Sequence, residues 1–316
     1  MLKTALSLAS GSGEKRGLLI LTYHRTMACA DPYTNDVTGE VFALHADILS
    51  SHCNVLRLDR AAEMLAEKSL PPRAVAVTFD DGYEDNFNVA LPILQRYGIK
   101  ATFFIATAYL DGGIMWNDII IDAVKNASEE AVRGYLEAHG NDGIAVSSCT
   151  RVNLIKQQIQ GLKYQDPASR YDAAVEFRDR LDVPAGKSPM MTRAQVRQLA
   201  QEGMEIGAHT VTHPILKQIE ASSAEQEVVN SRRDLENITG TAVTSFAYPN
   251  GIPGRDFDSA HVDILKRHQF AAAVTTLSAR ADYSDDLLQL PRISLWHDHR
   301  GKFCVELMRR FLERSG

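Results

Sequence analysis

An apolar, partly β-branched segment that stops abruptly on two carboxylates constrains this chain more than any other feature. It reads Ala74-Val-Ala-Val-Thr-Phe79-Asp80-Asp81-Gly82-Tyr83. Residues 74–79 have the composition of a buried parallel strand, and Gly82 marks the turn that ends it. Adjacent side chains at a strand end point in different directions. One carboxylate can therefore bind a metal while the other stays free as a base. A plain Asp-Asp-Gly turn is the alternative.

Similar runs recur at 17–23, 101–106, 204–208, 243–248, 271–275 and 290–295, separated by helical patterns. Asp85 can cap the helix that ends at Gly98; Thr192-x-x-Gln195 resembles a capping box; Ser222-x-x-Glu225 opens a helix stopped by Gly240. Strand alternating with helix predicts a parallel sheet with covering helices, either a barrel or an open sheet. The polar residues favour a barrel. His24, Asp80, Asp81, His209 and the turn Tyr248-Pro249-Asn250 all fall at or just past predicted strand ends. In barrels those ends carry the active site. Residues 113–190 break the alternation with helical patterns at 117–125, 128–139 and about 153–162, and a polar stretch near 166–170. They read as a helical insertion between the third and fourth strands, which either shapes a substrate groove or only packs. Trp116 is a sugar-stacking residue if it faces the cleft and a core residue otherwise.

The second chemical feature is Glu205-Ile-Gly-Ala-His209-Thr-Val-Thr-His213-Pro214. One helical turn or a tight loop lets both imidazoles face one point. Two His with one Asp form a facial set of three metal ligands that leaves positions open for water and substrate. The run His297-Asp298-His299 is either a second metal site or a solvated patch.

Thr78-Phe-Asp80-Asp81-Gly-Tyr83 and His209-Thr-Val-Thr-His213 resemble the first two motifs of the polysaccharide deacetylases, the NodB-like carbohydrate esterases of family 4. Phe246-Ala-Tyr248-Pro-Asn250-Gly251 resembles the third motif. The resemblance implies an α/β fold, a distorted (β/α)7 barrel, here one domain over 1–316 with its insertion at about 113–190. It implies Asp80 as general base, and Asp81, His209 and His213 as ligands of one divalent metal, usually zinc. Tyr248 and Asn250 then lie on the oxyanion and substrate side. The implied reaction removes an N-acetyl or other acyl group from an amino sugar, in a polysaccharide or a glycan precursor.

The chain departs from the family pattern in two places. Ala247 stands where common members carry an Arg that pairs with the base. Arg292, in Leu290-Pro-Arg292-Ile, is assigned as the substitute partner of Asp80 from its place at a strand end. The family's catalytic acid is the His of a C-terminal Leu-x-His. Leu295-Trp296-His297 has that bare pattern, in different surroundings. Leu19-Ile-Leu-Thr-Tyr-His24-Arg25 resembles the same segment moved to the front, as in the circularly permuted poly-N-acetylglucosamine deacetylases. His24 is therefore the expected acid.

Composition sets the outer limits. The 316 residues are 45% hydrophobic, ample for a large core, and the net charge is −6 with no long basic block, which argues against a nucleic-acid partner. Cys29, Cys53, Cys149 and Cys304 are scattered and read as reduced thiols. No apolar run approaches the roughly 18 residues of a membrane helix, and the first residues make a poor signal peptide, so an intracellular location is expected. Two other functions fit parts of the pattern. One is a Mg²⁺-dependent, phosphatase-like hydrolase built on Asp80 and Asp81, which the two histidines oppose because Mg²⁺ prefers oxygen. The other is a non-catalytic carbohydrate-binding descendant, which Ala247 keeps open.

Overall fold

Six short parallel strands form the frame of the computed structural model, which describes residues 2–13, 16–34, 36–141 and 143–313. They are Gly17–Tyr23, Ala74–Phe79, Thr102–Ile105, Glu205–Ala208, Ser245–Ala247 and Ala272–Val274, hydrogen-bonded in that order. The seventh strand expected at 290–295 is not a ladder. It consists of single parallel bridges, Val274 to Leu290 and Leu21 to Ile293. The Leu290 N–H donates to the Ala273 carbonyl at 2.8 Å and the Ile293 N–H to that of Ile20 at 2.8 Å. Between them Pro291 has no N–H to give, so continuous pairing fails. The segment still joins the sixth strand to the first, and the sheet curls into a distorted (β/α) barrel. Four short strands were not foreseen: Asn54–Leu56 beside the second strand, Ala281–Asp282 antiparallel to the first, and Thr26–Met27 paired with Val37–Thr38 in a sheet of their own.

Strand parity sorts the side chains. Leu19, Leu21, Tyr23, Val75, Val77, Phe79, Phe103, Ile105, Ile206, Phe246 and Tyr248 pack in one cluster with the covering helices. The alternate residues Leu18, Ile20, Ala74, Ala76, Phe104, Ala247, Ala272 and Val274 form a second cluster inside the ring, with Leu58, Ala61 and Leu65 of the helix Leu58–Ala66. Both strand faces are covered, which explains the unbroken apolar run of the first strand. Glu205 is buried at the N-terminal end of the fourth strand. It accepts hydrogen bonds from Thr102 Oγ1 (2.6 Å), the Asp59 N–H (3.0 Å) and Ser245 Oγ, while burial pushes its carboxyl up.

Two helix starts differ from expectation. Asp85 does not cap the following helical segment; its carboxylate takes Arg25 Nε at 2.8 Å and the Thr26 N–H at 2.9 Å. The helix Ala221–Thr239 has Glu220, not Ser222, at its N-cap. The Thr192–Gln195 capping box is formed.

Gly112–Met190, with the short stretch from Asp31, makes a separate compact unit. Its helices Trp116–Asn126, Glu129–Ala138, Ser148–Leu162 and Pro167–Arg180 enclose their own core, including Ile120, Val132, Leu154 and Phe177. The last helix, started by Asp166 and Pro167, lies where only a polar stretch was read. No helix among the described residues is long and apolar enough to cross a membrane.

Gly207 pairs with Phe104 across the third and fourth strands, and a Cβ there would sit 2.4 Å from the Phe104 ring. That ring is fully buried. Gly207→Ala is expected to cost about 1–3 kcal/mol in urea unfolding, the range for overpacked cores. Adding Phe104→Leu should return part of the loss. A single variant as stable as the wild type would contradict this packing.

Candidate active site

The C-terminal end of the second strand makes two adjacent carboxylates different. Asp80 continues the strand, its N–H donating to the Tyr23 carbonyl at 3.0 Å, and by parity its side chain enters the ring. Asp81 then turns left-handed, with φ of 74°, and Gly82 follows at 95°. Asp is among the few non-glycine residues that tolerate this region. The reversal aims the Asp81 carboxylate away from its neighbour.

Asp80 meets Arg292. Nη1 lies 2.7 Å from Oδ1 and Nη2 2.7 Å from Oδ2, a fork on a fork. The guanidinium also donates to the Thr275 carbonyl at 3.0 Å and to Thr78 Oγ1 at 3.2 Å. Side-chain exposure is 0% for Arg292 and 3% for Asp80. Arg292 reaches from the ring-closing segment past the first strand to the second, a path only the interior permits. Position 247, where an Arg was absent, is a buried Ala in the same interior cluster. Burial alone would raise the Asp80 carboxyl; the Arg292 charge and hydrogen bonds outweigh it and hold it below the usual range.

Asp81 meets two imidazoles. His209 Nε2 is 3.3 Å and His213 Nε2 3.4 Å from Asp81 Oδ1. The three donor atoms all lie within 4.8 Å of one another. The His209 Nδ1–H donates to the Ala247 carbonyl at 2.7 Å, so Nε2 is left as the lone-pair nitrogen. Asp81 Oδ1 is buried and has no hydrogen-bond partner among the described residues. An orphaned carboxylate oxygen facing two imidazole nitrogens fits a divalent metal, and the nitrogen donors suit zinc better than magnesium. Burial opposes ionisation of Asp81, but His209, His213 and His24 hold its carboxyl well below the usual range.

The histidines sit on a tight loop rather than a helical turn. Thr210 and His213 both have positive φ, 65° and 52°. Thr210 Oγ1 donates to the His209 carbonyl and accepts the His213 N–H at 3.1 Å. Glu227 clamps the loop from the helix Ala221–Thr239, accepting the N–H groups of Val211 and Thr212 at 2.8 Å each. Nothing local in the sequence pointed to Glu227.

His24 follows the first strand and is exposed; its carbonyl takes Asn86 Nδ2 at 2.9 Å. Its charge lowers both Asp80 and Asp81. His297 lies elsewhere in the network. Its carbonyl accepts from His45 Nε2 at 2.8 Å, and His45 Nδ1 faces the Tyr23 hydroxyl at 3.0 Å. Burial pulls His45 down to about 4. His45 was also missed, as an ordinary position in a helical pattern. His299 Nδ1 accepts the Gly301 N–H at 3.1 Å, capping the helix Arg300–Leu312. Among the described residues, Asp81, His209 and His213 are the one group with metal-donor geometry.

Asn250 has φ of 59°, and its carbonyl accepts from Thr276 Oγ1 at 2.6 Å. Its N–H has no protein acceptor among the described residues. Two substrate-side assignments are corrected. Tyr248 is buried, its ring stacked on Phe257 with centroids 3.7 Å apart, and its hydroxyl donates to the Leu288 carbonyl at 3.0 Å. Parity sends it outward into the helix-facing core, away from the ring interior. Trp116 is 8% exposed in the core of the helical unit, with the Arg170 guanidinium 4.7 Å from its ring centroid. A ring covered in this way offers no face to a sugar.

A family model described as polysaccharide deacetylase matches residues 67–162 and 184–273. That span includes Asp80, Asp81, His209, His213 and Asn250, and leaves His24 and Arg292 outside. YxkH of Bacillus subtilis (strain 168) is 20% identical over 234 residues, 74% of this chain and 56% of that protein. The poly-beta-1,6-N-acetyl-D-glucosamine N-deacetylase of Escherichia coli (strain K12) is 27% identical over 141 residues, 41% of this chain and 21% of that one. The chain thus spans little more than half of the first relative's length and about a fifth of the second's. The structure of the Streptococcus pyogenes deacetylase PplD in complex with acetate superimposes with a TM-score of 0.62 at 20% identity, covering 92% of this chain and 98% of that chain. At that identity the likeness is one of fold.

The buried ion pair makes a stability prediction. Arg292→Gln strands the Asp80 charge and is expected to cost about 3–5 kcal/mol in urea unfolding. Adding Asp80→Asn should cost less than the sum of the two single changes, because the residues share one interaction. Asp80 is depressed in the fold, so its contribution is present above the unfolded pKa and is lost as pH falls through the folded one. Wild-type stability should therefore decline below about pH 4, and the double variant should lose that part of the slope. Strict additivity would contradict the coupling.

Proposed function

The chain belongs to the polysaccharide deacetylase family, and we propose that this centre hydrolyses the N-acetyl, or another N-acyl, group of an amino sugar in a polysaccharide or glycan precursor. The observation that carries the reading is the opposite setting of two neighbouring carboxylates: Asp80 forked by Arg292, Asp81 facing two imidazoles. One is arranged as a base and the other as a ligand. The activity named for the Escherichia coli relative supports an N-acetylated amino sugar as substrate.

In this reading Asp81, His209 and His213 hold one divalent ion, with zinc favoured by the donor set. Such an ion, when bound, polarises the amide carbonyl and acidifies water. Asp80 accepts the proton of the attacking water, kept ionised and aimed by Arg292. The Asn250 N–H donates to the oxyanion of the tetrahedral centre. His24, protonated, gives its proton to the nitrogen as the C–N bond breaks, so the products are a free amine and a carboxylate. Arg292 forked on Asp80, where Ala247 supplies no cation, weakens the case for a non-catalytic descendant, and two nitrogen donors weaken the case for a Mg²⁺-dependent phosphatase-like enzyme.

The test is acetate release from β-1,4- and β-1,6-linked N-acetylglucosamine oligomers, alongside metal analysis. Asp81→Ala, His209→Ala and His213→Ala should lose the metal. Asp80→Asn should keep it and lose about 10²–10⁴-fold in turnover, as for an absent general base. Metal loss in Asp80→Asn would sink the division of labour between the carboxylates.

The acid is tested separately. His24→Ala should keep the metal and lose activity on the same scale of about 10²–10⁴-fold. His297→Ala should do much less. A near-normal rate for His24→Ala with collapse for His297→Ala would move the acid to the C-terminal segment.

A further inference from the structure

Trp296 is one of two tryptophans in the chain. Trp116 is buried, whereas Trp296 is 59% exposed. Single exposed aromatics are ordinary on protein surfaces. What separates this one is how it is held and where.

Trp296 lies on a four-residue strap, Ser294 to His297, that leaves the ring-closing segment. The strap is pinned at both ends to the exit of the first strand. At one end the Ile293 carbonyl accepts the Thr22 N–H at 3.0 Å, and the Ile293 N–H donates to the Ile20 carbonyl at 2.8 Å. At the other, the His297 carbonyl accepts from His45 Nε2 at 2.8 Å, and the opposite nitrogen of that ring meets the Tyr23 hydroxyl at 3.0 Å. His45 is itself locked by a stacked Phe303, with centroids 4.0 Å apart. Leu295 is buried between the two pins. Tyr23 immediately precedes His24. Because the closing segment runs parallel to the first strand, Trp296 emerges at the same end of the barrel as His24, Asp80 and His209. Leu277, 54% exposed, follows the sixth strand at that end too, and its carbonyl accepts the Arg292 N–H at 3.0 Å.

We propose that Trp296 is a stacking platform for a neighbouring sugar ring of a glycan chain whose acetamido group is hydrolysed at Asp80. This rests on the hydrolase reading of that site. A pyranose ring presents an apolar C–H face that packs on a flat indole, and its rim hydroxyls require polar neighbours. The strap presents the indole, and His297, next to it in the chain, lines with His299, Lys302, Val305 and Glu306, among others, an open depression of about 520 Å³. Charged and hydrogen-bonding residues that follow one exposed aromatic in the chain suit a carbohydrate better than a protein interface, whose core is depleted in charge. The backbone that carries the indole is fixed before ligand arrives, which lowers the ordering cost of binding. The occupant is thus an oligomer or polymer rather than a single amino sugar.

Intrinsic fluorescence reads the platform apart from catalysis, because Trp116 is buried and Trp296 is not. Asp80→Asn protein, carrying its metal, is titrated with N-acetylglucosamine and with its β-1,4- and β-1,6-linked pentamers. One of the pentamers should shift the exposed emission component to the blue, and the monosaccharide should not. That shift should vanish in Trp296→Ala. In otherwise wild-type enzyme, Trp296→Ala should raise KM for the responding pentamer by about tenfold, the scale of one aromatic stacking contact. It should leave kcat within about twofold, since the residue binds without acting in the transition state. Trp296→Phe should restore most of the loss. Acetate release from a pentamer with unmoved emission and unchanged KM in Trp296→Ala would overturn the platform and leave the hydrolase standing. Emission shifted by a pentamer that yields no acetate would do the reverse. Silence in both assays would overturn both.

Discussion

A bidentate ion pair buried inside a narrow barrel organises this protein. Asp80 and Arg292 would each be costly to bury alone, because a charge removed from water must be paired and hydrogen-bonded. Here the fork satisfies both carboxylate oxygens, while Thr275 and Thr78 take further guanidinium protons. The pair also does topological work. Arg292 belongs to the bridging segment that Pro291 keeps from forming a ladder, and its salt bridge ties that segment to the second strand. The interior admits so large a side chain because many of its other residues are small, among them Ala74, Ala76, Ala247, Ala272 and Gly207.

The same frame separates two carboxylates that are adjacent in sequence. Strand parity turns Asp80 inward to its cation. The left-handed backbone at Asp81 turns the next carboxylate toward His209 and His213. Asp81, Thr210 and His213 all have left-handed backbone at this site, and the Glu227 clamp and the Thr210 hydroxyl hold the histidine loop in it. Such local strain persists where surrounding structure over-determines it. The resulting centre keeps an Arg-paired carboxylate and a carboxylate facing two imidazoles on adjacent residues without letting them merge.

Much of this was legible in the chain because parity and strand ends are sequence-local. A β-branched run ending in Asp80-Asp81-Gly82 announces its own geometry, and His209 and His213 each follow the same logic. Six of the seven expected strands form ladders, and the seventh, at 290–295, keeps its place but pairs only through single bridges, since Pro291 interrupts it. Residues that act across the fold left no local signal: Glu227 lies 14 positions from His213, and His45 looks like any polar position on the helix Gly39–His52. Tyr248 and Trp116 were misplaced for a related reason. Both belong to types that serve a binding site or a core equally well, and only packing decides which. The tryptophan that does reach solvent, Trp296, adjoins His297-Asp298-His299, whose metal-ligand types are the stronger local signal.

The division between Asp80 and Asp81 is tested most directly by anomalous diffraction from zinc-soaked crystals. The expected result is one peak at about 2.0–2.2 Å from an Asp81 oxygen and from Nε2 of His209 and His213, with both Asp80 oxygens still held by Arg292. A zinc ion bonded to Asp80, with the Arg292 fork opened, would contradict it.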